Sequence, residues 1–177
     1  MISIPQFSNI IELGGTLAIA HFGPNGELLE DRFYSNIVVT VGKQWIAQRM
    51  KDTAASPSHT IPAQMSHMAV GGNATVGSNP SKTTPVVGDI QLTTGGSPAL
   101  SELARVGLTT AGGTVSGAVV TYAATFAAGT GTGSLVEAGI FNSATAAAGT
   151  MLCKTSFDVV NKAANDSIAI TWTVTIQ

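Results

Sequence analysis

Charge is what this sequence has least of. Only 10% of its 177 residues are Asp, Glu, Lys or Arg, against roughly 25% in an ordinary globular chain. The net charge is −2 and no basic tract occurs, so the basic face that nucleic acid requires is missing. A single cysteine, Cys153, excludes an internal disulfide. Its apolar, strand-like surroundings read as those of a buried, inert thiol rather than a reactive one. No apolar run reaches the roughly 18 residues of a membrane span. The opening MISIPQFSNIIEL has no basic stretch leading into a long apolar core, and does not read as a signal peptide. These absences point to a chain made in a cytoplasm and kept there until assembly, with no nucleic acid and no membrane among its partners.

The usual constellations of chemistry are missing as well. His21, His59 and His67 are scattered, with no His or Cys partner at metal-ligand spacing, so no metal or cofactor is expected. Thr130-Gly131-Thr132-Gly133 and Gly71-Gly72-Asn73 match neither a phosphate loop nor a dinucleotide fingerprint and read as flexible turns. No G-x-S-x-G elbow occurs. The aspartates and glutamates are too dispersed to nominate a glycosidase pair. Glu27, Glu30 and Asp31 beside Arg32 form the densest charge cluster. They read as a solvated edge strand guarded by its charges, not as a catalytic carboxylate pair. The sequence therefore points away from an enzyme.

What is present is strands and turns. The organising stretch is Ser35 to Met50, where the period changes. Ile37, Val38, Val39 and Val41 favour a strand, Gly42 breaks it, and Lys43 to Lys51 reads as a short helix carrying Trp45, Ile46 and Met50. Before it, Gly15 to Phe22 and Glu27 to Tyr34 flank the turn Gly23-Pro24-Asn25-Gly26 and predict a hairpin. After it come strands at Met65 to Gly71, Leu103 to Thr109, Thr114 to Phe126, Ser134 to Asn142, Thr150 to Val160 and Ser167 to Ile176. The last alternates most clearly, with Ile168, Ile170, Trp172, Val174 and Ile176 on one face. Asp52 to Gln64, with Pro57 and Pro62, reads as a loop. The long polar stretch Gly72 to Ser101 is a functional or mobile loop, with a brief strand at Ile90 and Leu92. Eight or nine strands with frequent turns, and no fixed-period repeat, predict a mainly β protein. The expected fold is an antiparallel β-sandwich, jelly-roll or Greek-key-like, with one short helix after the third strand.

The expected domain layout is an N-terminal arm over 1–13 and a single sandwich over 14–177 with the long loop at 72–101. Two placements fit residues 1–13: a leading strand, or an arm lying on a neighbouring subunit. The arm is preferred because Met1, Ile2, Ile4, Pro5, Phe7, Ile10 and Ile11 form an apolar tail that needs burial. These seven are the candidate partner-binding residues. Arg105 and Glu137 stand out as charges inside apolar strands. If buried, each needs a partner, and a structural or intersubunit Arg105–Glu137 pair is one reading. Simple solvent exposure of each is the other.

Three segments, taken in order, resemble small structural proteins of tailed-phage virions. They are GTLAIAHFGPNGELLEDRFYSNIVVTVGKQWI, MSHMAVGGN and SLVEAGIFNSATAAAGTMLCKTSFDVVNKAANDSIAITWTVTIQ, together nearly half the chain. The last is similar to that set's closing pattern: Glu137-Ala138-Gly139-Ile140-Phe141-Asn142, then Asn161-Lys162, then Asp166 to Val174. The stretch Gly72 to Ser101 matches no pattern of the set. Proteins of this kind are described as capsid decoration (cement) proteins, tail-fibre proteins or virion proteins without further role. The resemblance implies no catalytic residues. It implies a virion component more firmly than it implies which part. Small size, low charge, the apolar arm and the long polar loops favour a decoration protein on the capsid surface, made in the host cytoplasm, whose partners are the major capsid protein and further copies of itself. The alternatives are a tail-fibre or baseplate component, against which stands the absence of coiled-coil heptads and of a repeating shaft pattern, and a carbohydrate-binding module on the virion. The last is disfavoured because the aromatics sit mostly in strands and the helix, as core residues do.

Overall fold

Ile168, Ile170, Trp172 and Val174 are all buried, while the residues between them are not. That alternation gives the closing strand one core face, and the first sheet is assembled around it. The computed structural model describes residues 12–51, 61–92, 101–146 and 148–177. In chain order its elements are β1 (Leu13–Phe22), β2 (Leu28–Ser35), β3 (Ile37–Val38), α1 (Thr40–Lys51), β4 (His67–Asn73) and β5 (Ser101–Gly107). They continue with β6 (Thr114–Ser116), β7 (Val119–Phe126), β8 (Gly133–Phe141), β9 (Met151–Lys162) and β10 (Ser167–Ile176). The first sheet has the order β2-β1-β10-β7-β6 and the second β3-β9-β8-β4-β5. All pairings are antiparallel. The protein is a mainly β sandwich with one short helix after the third strand, as the alternation predicts.

Between the sheets lies one core. Leu17 and Ile19 of β1, Tyr122, Ala124 and Phe126 of β7, and the β10 residues meet Met68, Val70, Leu135, Ile140, Phe157 and Val160 from the second sheet. The second sheet is buried on its outer face too. A strap over 74–92 crosses it. Val39, Ala69, Leu92, Phe141 and Met151 form a second, smaller apolar cluster beneath. This explains β8, which is buried at every position and reads as a continuous apolar run rather than an alternation.

Several boundaries differ from the sequence reading, each for a physical reason. The strand expected over Ile37 to Val41 is only two residues long, because the helix begins at Thr40. Gly42 does not break it. It lies inside the helix, where a Cβ would stand 2.1 Å from the Leu152 carbonyl oxygen. Glycine is there so that the helix backbone can press on β9. The helix's Thr40 N–H is met by the Val87 carbonyl of the strap at 2.7 Å, which satisfies one of the orphan donors of a helix start. The single strand expected over Thr114 to Phe126 is a hairpin, β6–β7, turned at Gly117 and Ala118. Gly117 has φ +57°, the left-handed backbone that two-residue hairpin loops need. No strand forms at Ile90 and Leu92. Leu92 is buried in the smaller cluster and Ile90 points outward. Phe33, on the edge strand β2, is 71% exposed, an exception to the aromatics that sit in the core. The 1–13 boundary falls inside an element, since Leu13 pairs with Ile176. The arm residues Met1, Ile2, Ile4, Pro5, Phe7, Ile10 and Ile11 lie outside the described residues, as do 52–60 and 93–100 of the two expected loops.

Gly42→Ala sets two effects against each other. Alanine improves helix propensity by about 1 kcal/mol. The Cβ it adds overlaps a backbone carbonyl, which cannot swing aside as a side chain would, and overpacking of this kind costs roughly 1–3 kcal/mol. The clash is expected to win, so urea unfolding of Gly42→Ala should show a lower midpoint than the parent. A raised midpoint would mean that the helix does not press on β9.

Candidate functional site

Three regions of the sandwich carry side chains that the core does not need. The first is an apolar groove at the end capped by α1. The helix stands beside the strand ends of β1, β7 and β10, and the groove of about 270 Å³ is lined by Leu13, Trp45, Met50, Val115, Tyr122 and Ile176, among others. Trp45 donates its indole N–H to the Ala63 carbonyl at 2.8 Å. Arg49 donates to the Pro62 carbonyl at 3.0 Å and lies over the Trp45 ring. These contacts hold the helix and the returning chain in place. Met50 and Val115 remain 74% and 72% exposed. Burial pushes the Tyr122 phenol up to about 12, and Arg49 is the charged side chain that lines the groove. A neighbouring depression with Glu12, Lys43 and Met50 continues the surface to the point where residues 1–11 join. There Glu12 exchanges both backbone hydrogen bonds with Gln177.

The second region is a polar bolt at the opposite end. His21 is buried, with Nε2 2.9 Å from Asp166 Oδ2 and Nδ1 3.3 Å from Glu30 Oε1. Arg32 holds the other Glu30 oxygen and donates to the Asp158 carbonyl at 2.9 Å, so β2 is fastened to β9. Lys162 donates to the carbonyls of Ala127 and Asp166. Burial lowers its pKa, and the Asp166 charge partly offsets that. Burial alone would push the Asp166 carboxyl up. The Ala163 N–H, the His21 ring and the Lys162 charge outweigh it and hold the group below the usual carboxylate range. The Glu27–Arg32 cluster does lie on an edge strand, but Glu30 is a structural ligand of His21 as well as an edge charge.

The third region is a buried ion cluster under the strap. Lys154 of β9 and Glu137 of β8 are both buried, with Lys154 Nζ 3.2 Å from Glu137 Oε2 and 3.2 Å from Asp89 Oδ2. Arg105 and Glu137 are thus each paired, but with other residues. Register and side-chain direction explain it: Arg105 and Gly139 both stand opposite Ala69 of β4, and Arg105 lies over Phe141, on the other side of Gly139 from Glu137. Arg105 makes a two-pronged pair with Glu102 at 2.7 Å, donates to the carbonyls of Ser143 and Ala148, and stacks on the Phe141 ring. The sequence reading singled out Glu137 as a charge in an apolar run. Lys154, in MLCKTSF, carries the same signal of a charge within an apolar strand. Asp89 gave no signal, since it sits in a polar stretch. Cys153, one residue away, is fully buried. Burial drives its thiol well above the ordinary value, against a smaller opposing effect of Asn36. The described residues hold no group of three or more His, Cys, Asp or Glu placed to bind a metal ion.

The bolt makes stability depend on pH with a definite sign. A carboxylate held low in the folded state contributes its full stabilisation above its unfolded pKa, about 3.9 for Asp. That contribution is lost as pH falls through the lower folded value. Denaturant midpoints of the wild type should therefore fall on acidification below about pH 4. Asp166→Asn should be less stable at pH 7 and lose less on acidification; parallel pH profiles would remove Asp166 from the acid response. Cys153 should resist alkylation in the native protein and react only after unfolding; rapid native labelling would show that the second sheet opens.

Compared with known proteins, the chain matches no family model, no curated protein and no solved structure.

Proposed function

We propose that this chain is a structural component of a tailed-phage virion: a decoration protein on the outer capsid surface that stabilises the shell by bridging major capsid subunits and contacting copies of itself. The observation that carries the reading is the apolar surface at the α1 end. Met50, Val115 and Ile176 are exposed there around one groove, and the apolar segment that begins with Met1 joins the fold at its rim. Scattered apolar residues are ordinary, whereas apolar side chains gathered round a groove mark an interaction surface. The resemblance of three segments to virion proteins supplies the setting. The mechanism is interface burial. Contacts on the order of 1,600 Å² each, repeated over many copies, hold by multivalency even where one contact is weak. A surface of Thr, Ser, Ala and Gly lets neighbouring protein approach with little charge to desolvate.

Copy number tests the reading. Quantitative mass spectrometry of purified particles should find this chain in a ratio to the major capsid protein near that of a shell component. A far lower ratio moves it to the tail, and absence from particles ends the virion reading. Truncation should stop at residue 11, because Leu13 belongs to β1 and Glu12 is tied to Gln177. That truncation, and separately Met50→Lys, should lower occupancy on the shell while leaving thermal unfolding unchanged. Losing one buried methionine is worth about tenfold in affinity. Full occupancy in both variants would take the α1 end out of the interface.

A further inference from the structure

Lys154, Glu137 and Asp89 are arranged as the three parties of an amide-forming reaction, and we propose that Lys154 and Asp89 become joined by an isopeptide bond with Glu137 as the proton-transfer group. The two reacting side chains come from parts of the chain far apart in sequence and meet only in the fold. Lys154 opposes Gly139 across the β8–β9 pairing, and Glu137 opposes Ser156. Lys154 and Glu137 are therefore diagonal neighbours on one face, where long side chains meet. Asp89 reaches them from the strap. Its Oδ2 already accepts the Val86 N–H at 3.1 Å, and the Asp89 N–H is bonded to the Val86 carbonyl at 3.0 Å, so the carboxyl is aimed before it reacts. Nζ is 3.2 Å from Oδ2, and the carbon to be attacked is one bond behind that oxygen. Room for Glu137 is kept by Gly71, where a Cβ would lie 2.7 Å from Glu137 Oε1.

The step balances within the three residues. The Lys154 ammonium gives one proton to the Asp89 carboxylate, leaving an amine beside a carboxylic acid. Nζ attacks Cγ and the N–C bond forms. The Val86 N–H stays on Oδ2 while that oxygen carries negative charge, as a backbone donor does in an oxyanion hole. The Glu137 carboxylate takes a proton from the nitrogen and returns it to Oδ1. The C–Oδ1 bond breaks and water departs. Oδ2 remains as the amide oxygen, Glu137 is again a carboxylate, and no oxidant or co-reactant is consumed. Two features favour the forward direction. The two side chains are held in contact, with Nζ 3.2 Å from Oδ2, which replaces an encounter in solution. A buried ammonium–carboxylate pair, whose desolvation is costly, becomes a neutral amide. Asp89 is the most exposed of the three, at 18%, so the water released has a way out.

The bond fastens the strap covalently to β9 and closes a long loop of chain, which restricts the unfolded state. The reaction needs only the folded chain and is independent of the virion reading. Its test is the intact mass of the purified full-length protein. The expected result is a chain lighter than its sequence by one water, with a proteolytic map containing one branched peptide that joins the Asp89 and Lys154 segments. Glu137→Gln, Asp89→Ala and Lys154→Arg should each restore the full sequence mass. A wild-type protein at full sequence mass overturns the proposal whether or not the variants fold. A one-water loss that persists in Asp89→Ala overturns it too, since the water then comes from elsewhere.

Discussion

A lysine ammonium leaves water only where carboxylates wait for it, and the outer face of the second sheet is built around that requirement at Lys154. Its stem lies on the β8–β9 surface and its head is met by Glu137 from the neighbouring strand and Asp89 from the strap. Removing either acid leaves a buried cation short of compensation, which costs far more than the intact pair contributes. That asymmetry is what fixes the strap. The small cluster of Val39, Ala69, Leu92, Phe141 and Met151 supplies area, but apolar contact has no direction. The ion cluster supplies position. Once the strap is placed, its Val87 carbonyl stands at the start of α1, so the helix that caps the core depends on the same cluster.

The bolt at the far end obeys the same rule with different parts. His21 presents both ring nitrogens to carboxyl groups, Glu30 of β2 and Asp166 of the β9–β10 turn. Asp166 is also bound by the Ala163 N–H, so the β9–β10 turn is closed by the residue that anchors His21. Each end of the sandwich is thus set by directional contacts, and the apolar core between them fills the volume they leave.

This division explains what could be read from the sequence. Alternation at Ile168, Ile170, Trp172 and Val174, and at Leu17, Ile19 and His21, is a local property of a half-buried strand, so the strands and the sandwich class were legible, whereas the pairing of β1 with β10 was not. β8 was found as a strand, but its burial on both faces depends on a strap distant in sequence, and no local pattern announces that. Gly42 was read by its propensity, whereas its role is set by the Leu152 carbonyl of β9. Glu137 and Arg105 stand out as charges in apolar runs, but a sequence shows which buried charges need partners and not which residues the strand register brings beside them. The groove was legible only as separate apolar residues. Met50 and Val115 belong to different elements, and their adjacency comes from the fold.

The scarcity of charge and the exposed groove are linked. Three of the eight basic side chains, Arg105, Lys154 and Lys162, are buried in structural roles. Of those left outside, Arg32 and Lys82 are paired with Glu30 and Asp158. The surface that results has few charges to repel or orient a neighbour. Long-range steering, which raises association rates for charged partners, is therefore weak here. Recognition by such a surface rests on shape and apolar contact, which act only at close range. Weak steering slows the encounter but does not set the affinity, which comes from the fit and the apolar area of the contact. On the proposed shell role, slow encounter matters little, because many copies meet an ordered array and their contacts reinforce one another.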